Sequence, residues 1–480
     1  MEATSITTST DDTVVKQNTT HPADSEAPRT DDLRPAFAGP VTFTTGPAIQ
    51  RILTLDLIRG MALLGILMMN IPVFGSLDSG IFVVTKDPGS RDYFAFAFVG
   101  TAFEGTMRGL FSMLFGAGMI LFATNKTDSF NGPTVAEYYY RRLLWLVLFG
   151  VFDAYVLLWR GDILFMYGLM GMLLYPFRRL SPVWLAGLAV ICLSIALYKT
   201  DDWTSRVGGY RSGYLDATRI EKAKQKPSEK QLEAKANWER YEARNKPDAK
   251  ADAKIIKAMR GDYSAVFAQL LPENVNGIVN FTYHGAWDML AMMFLGMALL
   301  GWGFLTNKLS TQTYLTTLLL GYGMGLPLSW FFVQFTADFY QNPGLTFDTY
   351  RVSPHVLYDF RRVLLALGHA SLLLLIHRSG VVPWLMRALI AVGQMAFTNY
   401  LMQSIICTLF FFGYGFGYFG KLAYHELYYV VAAVWVFQLI VSPMWLHYFR
   451  FGPFEWLWRS LTYWKPQPMR VKPSQMVSSE

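Results

Sequence analysis

The sequence predicts an all-α, polytopic helical membrane protein of about ten transmembrane helices, and three observations carry the prediction. Hydrophobic residues make up 52% of the 480-residue chain and charged residues only 16%, against roughly 25% charged in an ordinary soluble domain. The charges are also concentrated, with 10 in residues 1–50 and 27 in residues 199–262. What remains is a series of apolar runs, many long enough to cross about 30 Å of hydrocarbon as a helix.

Residues 1–50, rich in Thr, Ser and Pro with seven acidic and three basic side chains, are expected to be a disordered tail rather than a cleaved signal. Apolar segments then follow near 53–75, 97–123, 140–159, 162–177 and 182–198, and again near 281–304, 312–335, 357–376, 390–412 and 428–449. Arg51, Lys126, Arg141, Arg142, Arg178, Arg179, Lys308, Arg378, Arg387, Arg450, Arg459 and Lys465 mark alternate connections. Ten alternating helices put all of these on one side, so both termini are expected in the cytoplasm and the insertion outside. The expected organisation is a tail (1–50), a membrane half (51–198), a polar helical insertion (199–275), a second membrane half (276–465) and a cytoplasmic tail (466–480).

Inside the insertion, Ser228 with Gln231 predicts a capping box, Pro247 a helix stop and Asp248 a new cap. From Asp262 onward, Val266, Phe267, Leu270 and Leu271 share one apolar face, which predicts an interfacial helix leading back to the bilayer. Two cysteines, Cys192 and Cys407, lie in apolar runs with no partner at ligand spacing, which excludes a disulfide framework and a metal site. The net charge of +7 does not call for nucleic acid, because the basic residues of the apolar part sit at segment ends. Gly415, Gly417 and Gly420 fit G-x-G-x-x-G but follow a membrane span, so no dinucleotide site is expected.

Charged and polar side chains within apolar segments are costly and therefore nominate a site. Asp56 and Arg59 share a face of the first helix, and Asn70 lies about 21 Å further along its axis at 1.5 Å per residue. Glu104 and Arg108 are four apart and expected to pair, as are His284 and Asp288, where a carboxylate would raise the basicity of the imidazole. His284, Asp288, Asp56 and Arg59 form the candidate catalytic set. Asn70, Glu104, Arg108, Asp162, Arg361, Arg362, Asn399 and Gln403 form the candidate substrate-binding set. Arg361 and Arg362 suit a phosphate or carboxylate. Each has a plainer reading: an ion pair docking helices, an N-cap at Asp162, or polar glue between helices at Asn399 and Gln403.

LDLIRGMALLGIL followed by Asn70, FSMLFGAGM (111–119), WRGDILFMYGLMG (159–171), MAFTNYLMQS (395–404) and FGPFEWLWRSLTY (451–463) together resemble the bacterial YeiB-like family, whose C-terminal half is a domain of unknown function. The resemblance runs in order from about residue 51 to 465. The first helix is also similar to transmembrane acyltransferases such as heparan-α-glucosaminide N-acetyltransferase. That likeness implies transfer of an acyl group from cytoplasmic acyl-CoA, as a donor substrate and not a bound cofactor, to an envelope glycan or lipid at the bacterial cytoplasmic membrane. The chain departs from the pattern twice. Asn70 stands where the O-acyltransferases carry histidine, and Asp153 stands where YeiB-like proteins often do. A transporter of a small anionic or lipid substrate and a non-catalytic scaffold are the alternative readings.

Overall fold

The computed structural model describes residues 52–124, 133–280, 285–350 and 357–471. The expected N-terminal tail, Arg51, Lys126 and His284 lie outside them. The described residues fold into helices joined by short connections, with one isolated bridge between Phe449 and Arg470.

The first half comprises α1 (Leu53–Gly75), the short α2 (Gly80–Val84), α3 (Arg91–Ala102), α4 (Thr106–Thr124), α5 (Val135–Tyr155) and α6 (Leu164–Leu174). Next come α7 (Pro182–Lys222), α8 (Glu229–Arg244), α9 (Ala249–Met259) and α10 (Tyr263–Asn280). The second half holds α11 (Ala286–Gly301), α12 (Thr311–Gln341), α13 (Pro343–Thr349), α14 (Tyr358–Ser379), α15 (Pro383–Gln394), α16 (Ala396–Phe411), α17 (Leu427–Tyr448) and α18 (Pro453–Tyr463).

Among the described residues six segments are long and apolar enough to cross a membrane: α1, α3 with α4, α7, α12, α14 and α17. The pair α15 and α16, bent by 83°, makes a seventh if counted as one span, while α6 and α11 are shorter apolar helices. Of the about ten expected spans, six meet the requirement by length and composition among the described residues, or seven with the bent pair. Large apolar side chains stay exposed along α5 (Leu144, Leu148), α7 (Trp184, Val190, Ile191), α12 (Leu319, Leu320) and α17 (Val436, Ile440, Met444). In water such a belt would be an aggregation surface; against lipid it costs nothing.

The core is set by α1, α4, α11 and α14, and a glycine seam joins α4 to α11 as another joins α1 to α15 through Gly60 and Gly393. A Cβ on Gly116 would meet the Met293 carbonyl oxygen at 2.1 Å, and one on Gly296 would meet the Met113 carbonyl oxygen at 1.9 Å. Reciprocal glycines let the two backbones touch. Gly118, by contrast, faces nothing within 4 Å.

Two helix breaks shape the interior. Between α3 and α4 the chain turns at Phe103–Gly105, with Gly105 at φ +70°. Between α15 and α16 the break at Met395 exposes a new helix start, and Glu455 of α18 covers it. Its carboxylate accepts from the Phe397 N–H (2.7 Å), the Thr398 N–H (3.1 Å) and the Thr398 hydroxyl (2.5 Å). These donors would otherwise be orphaned inside the protein.

The insertion follows its capping signals. Ser228 and Gln231 form the box that starts α8, and Asp248 caps α9. On α10, Val266 and Leu270 are buried and Phe267 packs against the core, whereas Leu271 is exposed. The boundary expected at 198/199 falls inside α7, which runs 41 residues without interruption.

A candidate site of buried charge and an adjoining cavity

Because Glu104 sits on the turn between α3 and α4, the helical spacing that would pair it with Arg108 does not apply. Glu104 instead accepts from the Arg361 guanidinium and from the Tyr358 hydroxyl (3.0 Å). Arg108 donates to Asp288 Oδ2 at 2.9 Å, and the same oxygen accepts from Arg362 at 2.5 Å. Arg362 also holds Asp359 (2.9 Å), and Arg361 donates to the Ser329 hydroxyl (3.0 Å). Three guanidinium groups thus face three carboxylates. Arg361 and Arg362 are almost wholly inaccessible, and only such neutralisation makes charge tolerable at that depth.

Beside this cluster lies a cavity of ≈ 440 Å³ whose polar lining includes Asn70, Glu104, Arg108, Arg160, Asp162, Asn274 and Tyr358. Its apolar lining includes Ile66, Met69, Met107, Phe165 and Met166. The W-R-G-D-I-L stretch builds one wall. Leu158 takes φ +61°, which turns the chain so that Trp159 stacks on Phe74 with ring centroids 3.7 Å apart. Asp162 then caps α6, accepting from the N–H of Leu164 (3.1 Å) and Phe165 (2.9 Å). Gly150 permits this approach, since a Cβ there would meet Phe165 N at 2.3 Å.

α10 roofs the cavity through Asn274, Gly277 and Ile278. Asn274 donates to the Ala154 carbonyl (2.6 Å), and Arg160 bridges Asp78 (2.6 Å) and Glu273 (2.8 Å). Polar groups on an otherwise apolar lining suit an amphipathic, anionic or hydroxyl-bearing ligand. Among the described residues no group of three or more His, Cys, Asp or Glu side chains could hold a metal ion.

The residues nominated from sequence divide into three places. Asn70, Glu104, Arg108 and Asp162 meet at the cavity, and Asp288, Arg361 and Arg362 form the charged cluster against it. Asp56 and Arg59 do pair, at 2.7 Å, but at the opposite end of α1 from Asn70. Asn399 and Gln403 face α17, where Asn399 bonds Ser442 (3.0 Å) and Gln403 bonds Gln438 (3.0 Å). They join helices and do not reach the cavity. His284 lies outside the described residues, and Asp288 gives its Oδ2 to two arginines.

The chain is 30% identical over 439 residues to the uncharacterized protein YeiB of Escherichia coli (strain K12), covering 86% of this chain and 97% of that protein. The chain belongs to the YeiB-like family. It is also 29% identical over 446 residues to the uncharacterized protein YxaH of Bacillus subtilis (strain 168), covering 88% of this chain and 97% of that one. Residues 299–465 match a family model described as a protein of unknown function (DUF418). No solved structure matches the chain. In this YeiB-like protein the DUF418 region supplies Tyr358, Asp359, Arg361 and Arg362, while the preceding segment supplies Asn70, Glu104, Arg108, Asp162 and Asp288.

Tyr358, Asp359, Ser329, Arg160 and Asn274 were not singled out from sequence. Asp359 carried a usable signal, three residues before Arg362 on one helix. Ser329 and Asn274 carried none, because their partners are distant in sequence.

Proposed function

We propose that this YeiB-like protein transfers an acyl group from cytoplasmic acyl-CoA to an envelope glycan or lipid acceptor held in the ≈ 440 Å³ cavity. The proposal places it in the bacterial cytoplasmic membrane with both termini inside and α8 to α10 outside. The observation that carries it is the position of Asn70. It lies five residues before the C-terminal end of the acyltransferase-like first helix and lines the same cavity as Asp162 and Arg108.

A side-chain amide there supplies a donor for a developing oxyanion, and a nearby carboxylate can accept a proton from a hydroxyl or amine. Arg108, backed by Asp288, adds positive potential for a phosphate-bearing substrate. Purified protein in lipid nanodiscs, given labelled acetyl-CoA and an envelope lipid and glycan extract, is expected to move label to an acceptor. Asn70→Ala is expected to lower the rate at least tenfold with protein level unchanged. Absence of both binding and transfer across a panel of acyl-CoAs overturns the proposal.

Transport of an anionic or lipid substrate is the second reading, favoured by the 83° break between α15 and α16, since interrupted helices recur in transporters. Uptake into proteoliposomes without acyl-CoA would select it.

A further inference from the structure

Asp153 sits on α5 with no exposed surface, and neither carboxyl oxygen meets a hydrogen-bond donor among the described residues. Its neighbours are Asp162 and Ser404. Asp162 is placed quite differently. It accepts from two backbone N–H groups at the start of α6 and lies 3.4 Å from the Tyr400 hydroxyl, and it lines the cavity.

Uncharged groups pack around the pair, while Glu104, Arg108 and Arg160 line the same cavity as Asp162. Tyr400 and Ser404 come from α16 and Trp159 from the α5–α6 connection. From α10, Asn274 donates to the Ala154 carbonyl. Arg160, the basic residue of that connection, spends its guanidinium on Asp78 and Glu273.

A carboxylate stripped of water, with a single hydroxyl and another carboxyl as its polar neighbours, neutralises rather than stay charged. Two adjacent carboxyls cannot both ionise cheaply, and the better-solvated one keeps the charge. Here that one is Asp162, served by helix N–H groups.

We propose that Asp153 and Asp162 form a proton-sharing carboxyl pair in the cavity wall, with Asp153 the neutral acid and Asp162 the carboxylate that accepts the substrate's proton. The second role rests on the acyl-transfer reading; the protonation state does not. In that reaction the acceptor oxygen or nitrogen bonds the acyl carbon as the thioester C–S bond breaks. The acceptor's proton passes to Asp162 and then to the departing thiolate, so the carboxylate is regenerated.

Infrared spectroscopy of the purified protein in nanodiscs at neutral pH tests the pair without any substrate. The wild type minus Asp153→Asn difference is expected to contain the carbonyl stretch of a protonated carboxylic acid, shifted in D2O. Asp162→Asn is expected to retain that band at a moved frequency. If either variant fails to fold, wild-type protein carrying ¹³C-labelled aspartate carboxyls is expected to show the isotope-shifted acid band. A spectrum with no protonated aspartate at neutral pH overturns the proposal, as does a band that survives Asp153→Asn and vanishes in Asp162→Asn. If the acid band is present but no acyl transfer occurs, the reaction falls and the proton site stands.

Discussion

Asp288 holds two guanidinium groups on one oxygen, and its other oxygen has no partner among the described residues. Removing its charge leaves Arg108 and Arg362 facing each other with less compensation inside the protein. Asp288→Asn is therefore expected to cost about 3–5 kcal/mol, read as a lowered thermal midpoint in detergent. Asp288→Leu is expected to be at least as harmful, and a wild-type midpoint for both would show that the cluster is not ionic. The sequence singled out Asp288 with His284, which lies outside the described residues, but did not connect it to its two arginines. Spacing rules see only neighbours on one helix, whereas Arg362 is 74 residues away. Glu104 fails for the reverse reason. Its expected partner is four residues on, but Gly105 at φ +70° breaks the helix between them.

At the scale of elements, the α7–α8 hairpin docks through Trp238, which is fully buried and meets the Phe347 ring edge-on at 5.6 Å, and through Arg211, paired with Asp348 at 2.6 Å. Trp238→Ala is expected to cost about 3–5 kcal/mol of local stability. Amide exchange should rise over residues 199–245 while α1, α11 and α14 stay protected; a rise throughout would show that the hairpin supports the whole bundle. On α10, the Ala265 N–H and the Ser264 hydroxyl hold the Asp262 carboxyl below the ordinary carboxylate range. A depressed carboxyl stabilises the fold above its unfolded value and loses that contribution as pH falls through the folded one. The first turn of α10 is thus expected to open on acidification before its neighbours, and Asp262→Asn to abolish that step in pH-resolved exchange. Such caps were legible in the sequence because Ser228, Gln231 and Asp248 act within three residues. The breaks at Phe103–Gly105 and Met395 were not, because neither contains proline and Glu455, which covers the second, lies 58 residues from Phe397. Nor was the continuity of α7, where polarity changes at Lys199 but the helix does not stop.

For the molecule as a whole, composition was enough to predict the lipid-facing belt, since a shortage of charge leaves most helices nowhere else to go. The assembly of the cavity was out of reach, because it draws on α1, the α3–α4 turn, α5, the α5–α6 connection, α10 and α14 at once. Orientation is open to direct measurement. Both natural cysteines are buried, so a single added thiol reports without removing them. Lys224→Cys is expected to react with a membrane-impermeant maleimide in intact cells, and Met469→Cys only after permeabilisation; the opposite pattern would invert the topology. The unbroken α7 then carries a mechanical meaning. Forty-one residues at 1.5 Å each make a rod of about 60 Å, one end among the membrane helices and the other forming the hairpin with α8. A torque applied to that tip has no hinge in which to dissipate. The first arm of the hairpin and the apolar end of α7 are therefore two parts of one continuous helix.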